Sequence, residues 1–185
     1  MPRILILYAT VEGQTGRIAE RIAGSLRDAG HAVEVRPAQA GESLLDPANF
    51  DGVIVGASIH YGHHPAYLHA LVRRRRGALE EKPDAFFSVS LSAGGRNPKP
   101  AAARRYIEKF LRKTGWRPGQ AASFAGALQF SKYGAFKRLL MTVFVGLGGG
   151  DTDTSRDYEY TDWDTVDRFA REFERRLGGG AAGGE

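Results

Sequence analysis

Five consecutive apolar residues, Ile4-Leu5-Ile6-Leu7-Tyr8, stand almost at the start of the chain with no polar residue alternating among them. A strand with one wet face would alternate, so this run describes a strand covered on both faces, as in a parallel sheet. A polar, glycine-containing turn follows. Residues 15–29 then place Ile18, Ala19, Ile22, Ala23 and Leu26 at helical spacing, ahead of Gly30 in the position of a C-terminal cap. This βα unit recurs: strands over 32–36, 52–57, 85–91 and 123–130, and helices over 66–76, 104–113 and 163–177. Alternating β and α elements imply a parallel sheet wrapped by helices on both sides. Five strands suit the doubly wound order 2-1-3-4-5, with ligands expected beyond the carboxyl ends of the strands beside strand 1. That directs attention to the loops after Tyr8, Ala57 and Leu91.

Residues 1–177 read as a single domain with an insertion at about 131–150, because 185 residues without internal repeats or a linker do not make two. The Gly/Ala segment 178–185 has too little apolar area to offset its ordering entropy and reads as a disordered tail. The 26 Lys and Arg exceed the 21 Asp and Glu, giving a net charge of +5, which favours an anionic partner. Cysteine is absent, so disulfides and thiol chemistry are excluded. No signal-peptide pattern precedes the first strand, and cytoplasmic residence is the expectation.

The loop after strand 1, Ala9-Thr10-Val11-Glu12-Gly13-Gln14-Thr15-Gly16, is rich in hydroxyls and opens into a helix. Helix N-terminal N–H groups favour a phosphate. The loop has no lysine and no G-K-[ST] or G-x-G-x-x-G pattern, which disfavours a nucleoside triphosphate or dinucleotide. A phosphomonoester held by neutral donors, such as FMN, suits it, and an ordinary capped βα turn is the plainer alternative. Strand 3 ends in Gly56-Ala57-Ser58-Ile59-His60-Tyr61-Gly62-His63-His64, where small residues admit a flat ligand and Tyr61 is able to stack on it. The histidines lack an interleaved carboxylate, and no metal is expected. Strand 4 exits through Ser90-Leu91-Ser92-Ala93-Gly94-Gly95-Arg96, small and polar enough to lie beside the same ligand.

Together, Thr10-x-x-Gly-Gln-Thr, Gly56-Ala-Ser-Ile-His-Tyr-Gly, Gly115-Trp-Arg-Pro, Ala125-Gly-Ala-Leu, Gly150-Asp-Thr-Asp-Thr and Tyr160-Thr-Asp-Trp resemble, nearly in register, the menaquinone-dependent protoporphyrinogen IX dehydrogenase family. The similarity spans residues 4–173. It implies an α/β, flavodoxin-like doubly wound five-stranded sheet with an inserted amphipathic helix after strand 5. It also implies FMN-dependent oxidation of protoporphyrinogen IX to protoporphyrin IX in haem biosynthesis, with electrons passed to menaquinone or ubiquinone. FMN binding carries over to Val11, Glu12, Gly13, Gln14 and Thr15, to Ser58, Ile59, Tyr61 and Gly62, and to the stretch 86–154. Within that stretch Ser90, Leu91 and Ser92 are the preferred contacts, and Thr154 joins them if the late Gly-rich turn folds back. His60, His63, Arg96 and Lys99 are candidates for the propionates by charge and loop position, and no acid–base residue is assigned. Pro65 departs from the family pattern.

The insertion runs from Lys132 to Leu147, with Lys137 and Arg138 ahead of an apolar stretch shorter than the roughly 20 residues that span a bilayer. It suits the membrane interface, a second subunit or the substrate pocket, with the resemblance favouring the membrane and so a peripheral location on its cytoplasmic face. Self-association stays open. Arg73-Arg74-Arg75-Arg76 reads as a solvated helix end rather than a nucleic-acid site, since no aromatic residues interleave it. The rival functions are a flavodoxin-type electron carrier, which the basic charge disfavours, and an NAD(P)H:quinone oxidoreductase.

Overall fold

The computed structural model describes residues 1–38, 47–94, 97–128 and 157–179. Its centre is β1 (Arg3–Ala9), which pairs in parallel with β2 (Ala32–Pro37) on one side and β3 (Gly52–Ser58) on the other, Ile4 lying opposite both Val33 and Gly52. β4 (Asp84–Ser90) and β5 (Gln120–Ala125) extend the sheet beyond β3, giving the all-parallel order β2-β1-β3-β4-β5. Crossovers run through α1 (Gln14–Asp28), α2 (Ala66–Glu80) and α3 (Pro100–Thr114), and α4 (Trp163–Gly179) follows the last strand.

The unbroken apolar run of β1 has the cause inferred for it. Ile4 and Ile6 point to one face, where they pack with Ile18, Ile22 and Leu26 of α1 and Val166, Phe169 and Phe173 of α4. Leu5 and Leu7 point to the other, against Leu68 and Val72 of α2, Phe110 of α3 and Trp116. Each fully buried side chain of this kind stabilises the fold by about 1.5–3 kcal/mol relative to exposure. Gly56 is required by close approach: a Cβ there would lie 2.0 Å from Cζ of Phe87 on the neighbouring strand.

Elements differ from expectation mainly at their ends. α2 continues past Arg76 to Glu80 because Leu79 still finds the core, and α3 starts four residues early because Pro100 suits a first helical turn. Pro65 stands immediately before α2 and sets its start at Ala66. The fifth strand, expected over 123–130, leaves the sheet at Ala125. Gly126 bonds back to Ser90, and Ala127–Leu128 (β6) pairs antiparallel with Tyr158–Glu159 (β7). The insertion at 131–150, Arg96, Thr154 and the tail beyond Gly179 lie outside the described residues.

Candidate cofactor and substrate site

The loops after β1, β3 and β4 meet at one end of the sheet around a cavity of about 410 Å³. Of the expected residues, Thr10, Val11, Glu12, Gln14 and Thr15 line it from the first loop. Ser58, Ile59, His60, Tyr61 and Gly62 line it from the second, and Ser90, Leu91 and Ser92 from the third. Gly13 stands behind the wall, His63 belongs to an adjoining cavity, and Lys99 lines neither. Lys99 is instead fixed at the start of α3, its N–H donating to the Ser92 carbonyl at 2.8 Å.

The first loop is closed by the Gly13 N–H donating to Thr10 Oγ1 at 2.9 Å, and α1 begins where the Arg17 N–H reaches the Gly13 carbonyl at 3.1 Å. The N–H groups of Gln14, Thr15 and Gly16 precede that first helical bond, with no side-chain cap and no acidic residue in the first turn. Such an end attracts an anion.

Gln14 lines the cavity and is also tied to the far end of the chain. Its Nε2 donates to Thr161 Oγ1 at 2.8 Å, Thr161 Oγ1 donates to the Ala125 carbonyl at 2.8 Å, and Arg17 donates to both Gln14 Oε1 and Glu159. Asp162 accepts from the Thr165 N–H and hydroxyl at the start of α4, and Arg17 lies over the Trp163 ring at 5.7 Å. The stretch Tyr160-Thr161-Asp162-Trp163 thus braces the first loop from behind.

In the second loop His60 and His63 exchange both backbone hydrogen bonds, at 2.9 and 3.1 Å, so Tyr61 and Gly62 form the corner of a two-residue hairpin. Both have positive φ, 48° and 78°, as such a tight turn demands. For a tyrosine this conformation costs about 1–2 kcal/mol. The turn leaves Tyr61 64% exposed at the cavity, its ring beside that of His60 at 4.2 Å. A strained aromatic held out over a cavity is placed to cover a flat guest.

Thr15, Ser58 and Ser90 carry hydroxyl oxygens that are buried without a partner among the described residues, and all three residues line this one cavity. A buried hydroxyl left unpaired costs about 1–3 kcal/mol, so the cluster fits a polar guest. Thr15 sits at the helix end, where a phosphate is favoured; Ser58 and Ser90 sit at the strand ends, where a heteroaromatic edge would lie. The donor set fits FMN.

Four further residues line the cavity: Val89, Tyr106, Gly126 and Ala127. Tyr106 reads in the sequence as one of a helical apolar set, and only the packing of α3 across the end of β4 turns it toward the site. Gly126 and Ala127 belong to a conspicuous motif, yet their place depends on β5 ending early. The adjoining cavity, about 440 Å³, shares Gly62 and Tyr106 with the first and continues between α2 and α3 past His63, His69, Lys109 and Lys113. His64 turns inward, its Nε2 2.9 Å from the buried Ser88 hydroxyl, while His63 turns toward Lys109.

A flavodoxin-domain family model matches residues 5–155. The protoporphyrinogen IX dehydrogenase (quinone) of Escherichia coli K12 is 36% identical over 172 residues, covering 92% of this chain and 93% of its own length. Its namesake from Leishmania major is 37% identical over 173 residues, covering 93% of this chain and 74% of its own. Among solved structures, a short-chain flavodoxin associated with a bacterial microcompartment superposes with a TM-score of 0.58 at 14% identity, covering 96% of this chain and 99% of that one. Oxidised flavodoxin 1 from Bacillus cereus gives 0.51 at 16% identity, covering 94% and 97%. These two share the fold, whereas the enzymes share sequence along nearly the whole chain. On that ground the chain belongs to the protoporphyrinogen IX dehydrogenase (quinone) family, built on a flavodoxin domain.

Proposed function

We propose that this protein oxidises protoporphyrinogen IX to protoporphyrin IX with FMN bound in the cavity at the ends of β1, β3 and β4, and that a quinone takes the electrons. The observation that carries the reading is the trio of unpartnered buried hydroxyls, Thr15, Ser58 and Ser90, around one cavity. Its context is a chain 36% identical to the named enzyme over 92% of its length. When bound, FMN supplies reversible two-electron acceptance, so the six-electron oxidation proceeds in three rounds with quinone restoring the cofactor after each.

The chain's own residues bind and orient. Thr15 and the first N–H groups of α1 would hold the phosphate, with Thr10 keeping the loop closed through Gly13. Val11, Glu12 and Gln14 form the wall beside it; Ser58, Ile59, Gly62, Ser90, Leu91 and Ser92 would flank the ring system, and Tyr61 would cover it. Thr154 keeps the role that the family resemblance gives it, and Arg96 remains a candidate for the propionates by its charge and loop position.

The same reading puts the protein on the cytoplasmic surface of the membrane, where a quinone is reached. Among the described residues no helix is long and apolar enough to cross a bilayer. The concentration of arginine and lysine on α2 and α3 supports attraction to anionic lipid.

The test is anaerobic. FMN-loaded protein mixed with protoporphyrinogen IX should lose its flavin absorbance as porphyrin fluorescence rises, and a menaquinone analogue should restore the flavin. A flavin untouched by porphyrinogen but bleached by NADH would replace this reading with an NAD(P)H:quinone oxidoreductase. In parallel, Tyr61→Ala should weaken FMN affinity; an unchanged dissociation constant would remove Tyr61 from the covering role.

A further inference from the structure

The cavity between α2 and α3, which adjoins the first at Gly62 and Tyr106, is built of cations over an aromatic floor. The floor is Phe110, stacked on Phe86 with ring centres 4.4 Å apart and planes 6° apart, and flanked by His64 and His69 at 5.1 and 4.8 Å. Lys109 and Lys113 stand at the rim, one turn apart on α3 and so on one face of the helix. Among the described residues, no carboxylate lines the cavity.

Hydrogen bonding fixes what the rim presents. Lys109 Nζ lies 3.1 Å from His63 Nδ1. An ammonium has no lone pair and must donate, so Nδ1 accepts and the neutral ring keeps its proton on Nε2 as a donor. His69 Nδ1 lies 3.1 Å from the Pro65 carbonyl and donates to it. Burial lowers the pKa of His69; the Pro65 bond opposes this, and Lys113, Arg73 and Lys109 lower it further, so positive potential from both helices converges here. Like charges gathered without a counterion repel, and an anion with an apolar stem would relieve them while covering the aromatic floor.

We infer that this cavity is the subsite for the propionate arms of the tetrapyrrole. Their carboxylates meet Lys109, Lys113 and the His63 Nε2–H, their methylenes lie on Phe110, and the macrocycle passes the Gly62–Tyr106 junction toward the flavin cavity. The two propionates of protoporphyrinogen IX stand on neighbouring pyrroles, and two ammonium groups a helical turn apart suit such a pair. The inference rests on the functional reading above and adds to it a binding site on α3.

The experiment uses the FMN-loaded full chain and two probes, protoporphyrin IX and its dimethyl ester, whose carboxylates are masked. Dissociation constants come from porphyrin fluorescence, for the wild type, the Lys109→Ala/Lys113→Ala double variant and the Lys109→Arg/Lys113→Arg double variant. The wild type should bind the free acid at least about tenfold more tightly than the ester, since a charge-assisted hydrogen bond contributes on that order. The alanine variant should lose that preference with its FMN affinity intact, and the arginine variant should retain it. An acid preference that survives in the alanine variant overturns the subsite. Equal binding of acid and ester by the wild type also overturns it and leaves the functional reading standing; binding of neither probe overturns both.

Discussion

The two helical layers that flank the sheet bury similar cores but carry their charge differently. On one side, α1 and α4 hold seven arginines against six acidic residues. These are cross-linked, Arg21 donating to Asp167 through two nitrogens at 2.8 and 2.7 Å, and Arg17 also reaches Glu159 of β7 at 2.8 Å. On the other side, α2 and α3 hold nine arginines and lysines against two glutamates, and the Arg76–Glu80 pair is loose at 3.9 Å. The first layer carries ion pairs between its helices; the second opens beside the candidate cofactor cavity into a cationic groove. Surface ion pairs contribute little to stability, so neither pattern is needed for folding. The surplus of positive charge, spread across the chain in a composition count, is thus concentrated on the layer that adjoins the candidate site.

The largest expected effect tests whether the two layers are equivalent inside. Phe110 and Phe173 are each fully buried on opposite faces of the sheet. Replacing either with Ala should cost about 3–5 kcal/mol of unfolding free energy in urea titration. Only Phe110→Ala should also weaken binding of protoporphyrin IX, and a matching loss in Phe173→Ala would erase the distinction.

Next in size is a separation by pH. His64, on the α2–α3 side, has its pKa pushed down from 6.5 to about 3, first by burial and then by His69 and Lys109. The unfolded chain takes up this proton below pH 6.5 while the folded one resists until about 3. The contribution is therefore intact above that window and is lost, at about 1.4 kcal/mol per pH unit, as pH falls through it. His64→Gln should flatten the stability curve there, as followed by denaturant midpoints across pH.

Docking on a membrane should distinguish the layers more modestly. Replacing Arg73 and Arg74 with Ala should lower affinity for phosphatidylglycerol vesicles about thirtyfold at low salt. Replacing Arg171 and Arg175 on the balanced layer should leave sedimentation with the same vesicles unchanged. The smallest effect belongs to Asp167, whose pKa is held below 3.8 chiefly by its hydrogen bond from Arg21. The stability it supplies is present above the ordinary carboxylate range and is lost as pH falls through the depressed value. Asp167→Asn should flatten only this most acidic limb, and a flattening near pH 6 would contradict the assignment of the two windows to two layers.

Much of the site was legible because its residues are local in sequence. The loop 10–15, the corner 58–62 and the exit 90–92 each follow an apolar run, and a parallel sheet brings strand ends together whatever the details. His63 and Lys99 sit in the same loops, yet His63 lines the adjoining cavity and Lys99 lines neither, because loop membership says nothing about which wall a side chain joins. Gln14 lines the cavity and is also bound to Thr161 from the far end of the chain, a tie that no local pattern shows.

The sequence by itself determined the sheet, its faces and the three loops, since periodicity of 2 or 3.6 residues and unbroken apolar runs are local consequences of burial. Tertiary structure alone decided the rest. Tyr106 faces the site because α3 crosses β4. Lys109 meets His63 because α2 and α3 pack side by side. The Tyr160–Trp163 stretch braces a loop nearly 150 residues earlier, with Gln14 and Thr161 in contact at 2.8 Å. Such contacts depend on how elements stack, and stacking is set by the whole core at once rather than by any segment's own pattern.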